Sequence, residues 1–285
     1  MSITVFVPAH ITGFFTIENN PNPLKRGSCG AGFLLDKGVK TTVKKSEIFK
    51  ANVNQGTDII INLVLKHFRS DETFEITQDI QLPIGAGFGT SAASALGLSL
   101  ALNEFLDHGY SLIECGQIAH EVEVSLGGGL GDVIAQTAGG LVLRTKPGAP
   151  GIGEVKSFHE DIYIGAKTFG AIDTSSIIGD EFHQINIRKI GRKCLDEFTK
   201  DQSISNFLDL SYDFSLKTGL MTGQVRSLVD YFNSRNDILG SSMAMLGNTV
   251  FVFAYNQSIL QDIDIENFNI YKLNNKGICY DKSQL

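Results

Sequence analysis

Apolar positions recur along the chain at two spacings, every second residue and every third or fourth, and they divide it into strands and helices. "ITVFVP" (3–8) alternates and reads as a strand running into a loop, while "GAGFLLD" and "KTTVKKS" (30–46) read as strands around a turn. "TDIIINLVLKHF" reads as a helix, and "ETFEITQDI" alternates as a strand. Ser91–Leu106 is apolar all round, which predicts a helix buried on every side, ended at Asp107–Gly109 with Gly109 as the left-handed residue. Ser111, with Glu114 three residues on, predicts a capping box; Cys115, Ile118, Ala119, Val122 and Leu126 form the stripe of the helix behind it. "GGGLG" stops that helix, Asp132 opens a short segment, and "GGLVLRT" returns as a strand. "KPGAPGIG" (146–153) is the richest Pro/Gly stretch and reads as a hinge between two lobes, residues 1–150 and 151–285. Beyond it lie a strand at "DIYIGAK", helical patterns over 177–233 and a strand pair around "NTVFVFAYN".

Directly before the buried helix stands "PIGAGFGTSAAS", with three glycines at 85, 87 and 89. One Ser or Thr suffices to cap a helix. Three glycines do more: they let the backbone approach a ligand, and the helix behind them offers unpaired N–H groups to an anion. A P-loop is excluded because GxxxxGK[ST] lacks its lysine here. A dinucleotide fingerprint fails because Thr90 stands where GxGxxG needs its third glycine.

Composition narrows the reading further. The 285 residues are 42% hydrophobic and 19% charged, as in a soluble globular protein of one large or two ordinary domains. A net charge of −7 argues against nucleic acid as a partner. Cys29, Cys115, Cys194 and Cys279 are scattered without a CxxC, so reduced thiols in the cytoplasm are expected. "MSITVFVPAH" does not read as a signal peptide, and the apolar run Ala92–Leu102 is too short to cross a bilayer.

From Pro83 to Ala93 the sequence resembles the second motif of the GHMP kinases, PxxxGLGSSAA, in length, order and place before a buried helix. The resemblance implies an α+β, two-lobed fold, with a ribosomal-protein-S5-like N-terminal domain and a ferredoxin-like C-terminal domain. It also implies ATP and Mg2+ as cofactors. It assigns Pro83, Gly85, Gly87, Phe88, Gly89, Thr90, Ser91 and Ala92 to the nucleotide, and Ser91 also to magnesium. The first motif corresponds to "VPAHITGFF", with His10 where many relatives carry a lysine. The third corresponds to the degenerate "GSSMAMLGNTVFVF" (240–253), which keeps Gly240 and two serines. Together with "KRGSCGAG", "AHEVEVSLGGGLGDV" and "GGLVLRTKPGAPG", the first motif resembles the pattern of the pantoate kinases, an archaeal branch of the superfamily. That likeness runs to about residue 153 and recurs weakly near Gly240.

The resemblance implies Asp132 as the base or anchor for the acceptor hydroxyl, with His10 as a second catalytic residue. Glu121 and Glu123 are two apart, so only one can point inward, whereas His120 and Glu123 are three apart and share a helix face. The family pattern puts Glu123 on magnesium and His120 on the substrate. Pantoate carries a carboxylate, and Arg144 is the expected guanidinium for it, with Ser28 and Thr174 as hydroxyls; Ser175 and Ser176 are placed as well as Thr174. A homodimer is open. Two alternatives stand beside this reading. One is the same chemistry on homoserine, mevalonate or a sugar; the other is a non-catalytic ligand sensor of the same fold, which would be expected to lose Asp132 and Glu123.

Overall fold

Two long strands organise the molecule. In the computed structural model, which describes residues 2–128, 130–171 and 181–283, β1 (Ser2–Glu18) and β2 (Gly27–Lys45) pair antiparallel along most of their lengths. The first half of β1 buries Ile3, Val5 and Val7 against α2 (Thr90–Leu106), and its second half buries Phe14, Phe15 and Ile17 in a different core. The ladder slips between Pro8 and His10 and again between Thr12 and Phe14. Those irregularities let one strand serve two cores, and they re-aim the side chains between them.

β2 is one continuous strand, where the sequence predicted two around a turn. Gly38 explains the difference: it pairs with Pro8, and any Cβ there would collide with the Val7 carbonyl. The glycine keeps the ladder closed instead of turning the chain.

The first sheet runs β11-β1-β2-β4-β3, with β5 on β2 and β6 on β5. Its other members are β3 (Lys50–Val53), which the sequence did not suggest, β4 (Phe74–Ile80), β5 (Leu141–Lys146), β6 (Glu154–Phe158) and β11 (Cys279–Ser283). Between them lie α1 (Ile59–Leu65), α2, α3 (Leu112–Ser125) and α4 (Asp132–Gln136). Leu96, Leu98, Leu100 and Leu102 of α2 are all buried, each contributing about 1.5–3 kcal/mol. Gly109 is left-handed as expected, with φ of 72°, but Asp107 two residues earlier, with φ of 52°, is the left-handed residue that ends α2, and His108 N–H bonds back to the Asn103 carbonyl. The Ser111–Glu114 capping box forms as the sequence predicts.

The second sheet, β10-β7-β9-β8, is antiparallel throughout. It comprises β7 (Tyr163–Thr168), β8 (Gly240–Ala244), β9 (Thr249–Ala254) and β10 (Asn269–Lys272), with α5 (Glu181–Lys200), α6 (Ile204–Lys217), α7 (Gly223–Asn233) and α8 (Gln257–Gln261). Taken in chain order this is a βαββαβ unit with strand order 4-1-3-2, the ferredoxin-like arrangement with extra helices. Phe33 of β2 meets Phe207, Phe251 and Phe253 edge-on, so the two sheets share a core. The Pro/Gly stretch 146–153 connects β5 to β6 within the first sheet, and the chain crosses to the second sheet between Phe158 and Tyr163.

Candidate active site

All three glycines of the loop before α2 have left-handed backbones, with φ of 73° at Gly85, 85° at Gly87 and 60° at Gly89. That answers why glycine recurs there. The residues between them, Ala86 and Phe88, turn into the core and anchor the loop. Three further bonds fix it: Thr249 Oγ1 donates to the Ala86 carbonyl at 2.7 Å, His10 N–H to the Phe88 carbonyl at 3.0 Å, and Gln136 Nε2 to the Gly89 carbonyl at 2.9 Å. Gly89 is the N-cap of α2 and has no side chain to cap it, so the first turn presents its amides to a ligand.

The loop borders a cleft of about 300 Å³. Ser28, Gly85, Gly87, Phe88, Gly89, Thr90, Ser91, Glu123, Asp132 and Arg144, all expected at the site, line it. Pro83 is exposed at the start of the loop and Ala92 is buried in the first turn of α2; neither lines the cleft. Thr174 lies outside the described residues.

Asp132 is the first residue of α4, and its side chain does not cap that helix. It bonds instead to His10, Nδ1 to Oδ1 at 2.6 Å, with the imidazole fully buried and the carboxylate partly open to the cleft. Burial lowers the His10 pKa, so the ring is neutral and its Nδ1–H donates. Burial pushes the Asp132 carboxyl up, but the His10 bond and the Arg144 charge outweigh it and hold it below the ordinary range. Asp132 is therefore an ionised, oriented carboxylate, and His10 sits behind it.

Glu123 is buried and accepts from Ser91 Oγ at 2.9 Å through Oε2, while its Oε1 has no partner among the described residues. Burial pushes its pKa to about 7, against the pull of the Ser91 bond, and the Asp132 charge adds to the rise. A buried carboxylate with a free oxygen beside a hydroxyl suits a hard cation that keeps other ligands from water and phosphate. Among the described residues no three acidic or His/Cys side chains cluster to hold a metal by themselves.

Arg144 is fully buried on β5. Its Nη1 donates to the Gly131 carbonyl at 3.0 Å, Nη2 lies 3.5 Å from Thr12 Oγ1, and Nε has no partner among the described residues. A buried guanidinium so sparsely paired suits an anion. Gly131 makes room for it: a Cβ there would lie 2.5 Å from Ser28 Oγ and 2.6 Å from Arg144 Nη1.

His120 departs from expectation. It shares a helix with Glu123, yet its Nε2 binds the Pro23 and Arg26 carbonyls at 3.1 and 2.9 Å and does not line the cleft. It ties α3 to the turn before β2. The degenerate third motif also works differently: Ser241 bonds to Val229 and Asn233 inside the second lobe. The turn at Met245–Gly247 is what meets the phosphate loop, with Gly247 packed on Ala86. Sequence reading also missed Thr12 and a second cavity of about 190 Å³, lined by Val53, Gly56, Ile60, Gln78 and Ser94 and sharing Ile84, Thr90 and Ser91 with the cleft.

Residues 55–140 match the GHMP kinases N-terminal domain. A crystal structure of mevalonate kinase shares the fold, with a TM-score of 0.70 at 16% identity over 97% of this chain and 100% of that one. Fold and phosphate loop thus define a GHMP kinase, an ATP-dependent enzyme acting on a hydroxyl group. The chain is 35% identical over 265 residues to the pantoate kinase of Methanocaldococcus jannaschii, covering 92% of this chain and 96% of that protein. It is 36% identical over 270 residues to the pantoate kinase of Thermococcus kodakarensis, covering 88% and 87%. A solved phosphotransferase related to the CoA biosynthesis pathway superposes with a TM-score of 0.85 at 32% identity over 99% of both chains. The chain belongs to the pantoate kinase family.

Proposed function

We propose that this chain transfers the γ-phosphoryl group of ATP to the 4-hydroxyl of pantoate, giving 4-phosphopantoate for coenzyme A synthesis in the cytoplasm. The observation that carries the reading is the convergence of a buried, under-paired Arg144 and an oriented Asp132 on the cleft that the phosphate loop borders.

The amides of the glycine loop and the first turn of α2 hold the phosphates. The cavity beside them takes the adenine base, where the Ser94 hydroxyl is buried without a partner among the described residues. Arg144 and Ser28 bind the pantoate carboxylate, which fixes the other end of a short molecule and so aims its 4-hydroxyl. Asp132 accepts the hydroxyl proton as the 4-oxygen bonds to the γ-phosphorus and the bond to the β–γ bridging oxygen breaks, leaving ADP. His10 keeps Asp132 ionised and in place. Ser91 and Glu123 would hold Mg2+, which when bound neutralises phosphate charge.

ADP release with ATP, Mg2+ and a panel of pantoate, homoserine and mevalonate tests the reading. Pantoate should dominate; activity on homoserine with none on pantoate would overturn it. The same panel, with light scattering to give the oligomeric state, addresses the homodimer.

A further inference from the structure

Leu246 lies in the turn between β8 and β9 with φ of 61°. That left-handed backbone is uncommon for a bulky residue, whereas the other non-glycine examples among the described residues are Asp107 and Asn267, which tolerate it. Strained positions that persist tend to be held for what they touch. The Leu246 side chain is half-buried and lines the cleft, beside Met245. Its turn is fastened to the strand beside Arg144: Met245 N–H donates to the Thr12 carbonyl at 2.9 Å, and the Thr12 hydroxyl lies 3.5 Å from Arg144 Nη2. On the other flank, the Leu130 carbonyl accepts from Ser28 N–H at 2.9 Å, and Leu130 also lines the cleft. Apolar side chains of Leu130, Met245 and Leu246 therefore line the same cleft as Arg144, to which the proposed function assigns the carboxylate.

We propose that Leu246 is a specificity-determining residue of the acceptor site, packing with Met245 against the dimethyl carbon of a branched hydroxy acid whose carboxylate sits on Arg144. The proposal rests on the pantoate reading. A straight-chain acid of equal charge would satisfy Arg144 but leave this wall uncovered, and two methyl groups correspond to roughly 15-fold in kcat/KM.

The test compares pantoate with its unmethylated analogue, 2,4-dihydroxybutanoate, for the wild type, Leu246→Gly and Met245→Ala, with KM for ATP and the melting temperature recorded. The wild type should prefer pantoate by about 15-fold or more, and Leu246→Gly should cut that preference to about threefold through KM for pantoate. Glycine relaxes the turn, so its melting temperature should equal or exceed the wild-type value while selectivity falls, a combination that a purely structural leucine would not produce. Equal losses on both acids, an unchanged preference, or a defect confined to ATP would overturn the proposal. If Met245→Ala fails to fold, Leu246→Gly decides alone. A wild type active equally on both acids sinks the wall and spares the kinase reading; a wild type inactive on pantoate sinks both.

Discussion

Gly131→Ala is the sharpest perturbation of the proposed anion site, because it removes no charge and no polar group. Gly131 has φ −154° and ψ −5°, outside the main regions open to an L-residue, so alanine adds backbone strain as well as a Cβ, and the melting temperature is recorded beside the kinetics. Its Cβ would stand 2.6 Å from Arg144 Nη1 where ordinary contact begins near 3.4 Å, so the guanidinium must retreat by roughly 0.8 Å. Ser28 Oγ, 2.5 Å away, must move as well. Complete loss of a charge-assisted contact to a buried anion costs about 2–4 kcal/mol, roughly 30- to 900-fold in kcat/KM. Displacement is milder than deletion, which places Gly131→Ala near 30-fold, expressed in KM for pantoate, and Arg144→Ala across the full range. Since both act on one contact, the double variant should be about as impaired as Arg144→Ala alone. Steady-state kinetics with each substrate varied would show this, with KM for ATP within about twofold of wild type. A loss under about threefold for Gly131→Ala, or full additivity in the double variant, would refute the reasoning.

Asp132→Asn keeps the shape and an oxygen for the His10 bond, so the fold should survive while kcat drops about two to four orders of magnitude; wild-type turnover would reduce Asp132 to a structural role. Glu123→Gln should raise the Mg2+ concentration needed for half-maximal rate, and an unchanged titration would move the metal elsewhere. In the metal-free protein the raised Glu123 pKa means that its contribution to stability is present below about 4.5 and is lost as pH rises through about 7. Thermal melts with chelator should therefore show Glu123→Gln more stable than wild type at pH 8, by an amount on the order of 3 kcal/mol, and matched to it near pH 4.5. His120→Leu should cost about 1–3 kcal/mol by taking the imidazole donor from the Arg26 carbonyl, while the Pro23 carbonyl keeps the Arg26 N–H, with KM for pantoate little altered; a selective pantoate defect would return His120 to the site.

Much of the site is legible in residue order because it is local. The glycine loop, the buried helix behind it and the Ser111 capping box each depend on residues a few positions apart, and each stands where the pattern puts it. What fails is long-range. The three-residue spacing correctly puts His120 and Glu123 on one side of α3, but nothing in the spacing says that Pro23 and Arg26 wait opposite one and Ser91 opposite the other. "LLDKGVK" has turn composition, yet it stays in the strand because Pro8 lies across from Gly38. In the third motif, Gly240 carries the familiar pattern, while the contact that matters is Gly247 against Ala86, visible only once the lobes are docked.

The pairing of β1 with both β2 and β11 has a consequence for how the molecule is made. Residues 2–6 of β1 find their second neighbour only at residues 279–283, on the far side of the entire second lobe. A nascent chain that has emerged as far as Phe158 holds the phosphate loop, Asp132 and Arg144, yet one flank of its first strand is still an open row of amides and carbonyls. Such a flank recruits strands from other molecules, and the long sequence separation makes its proper closure slow. Stalled or truncated chains should therefore be sticky rather than partly active, and biosynthesis of the enzyme should lean on chaperones until residues 279–283 are in place.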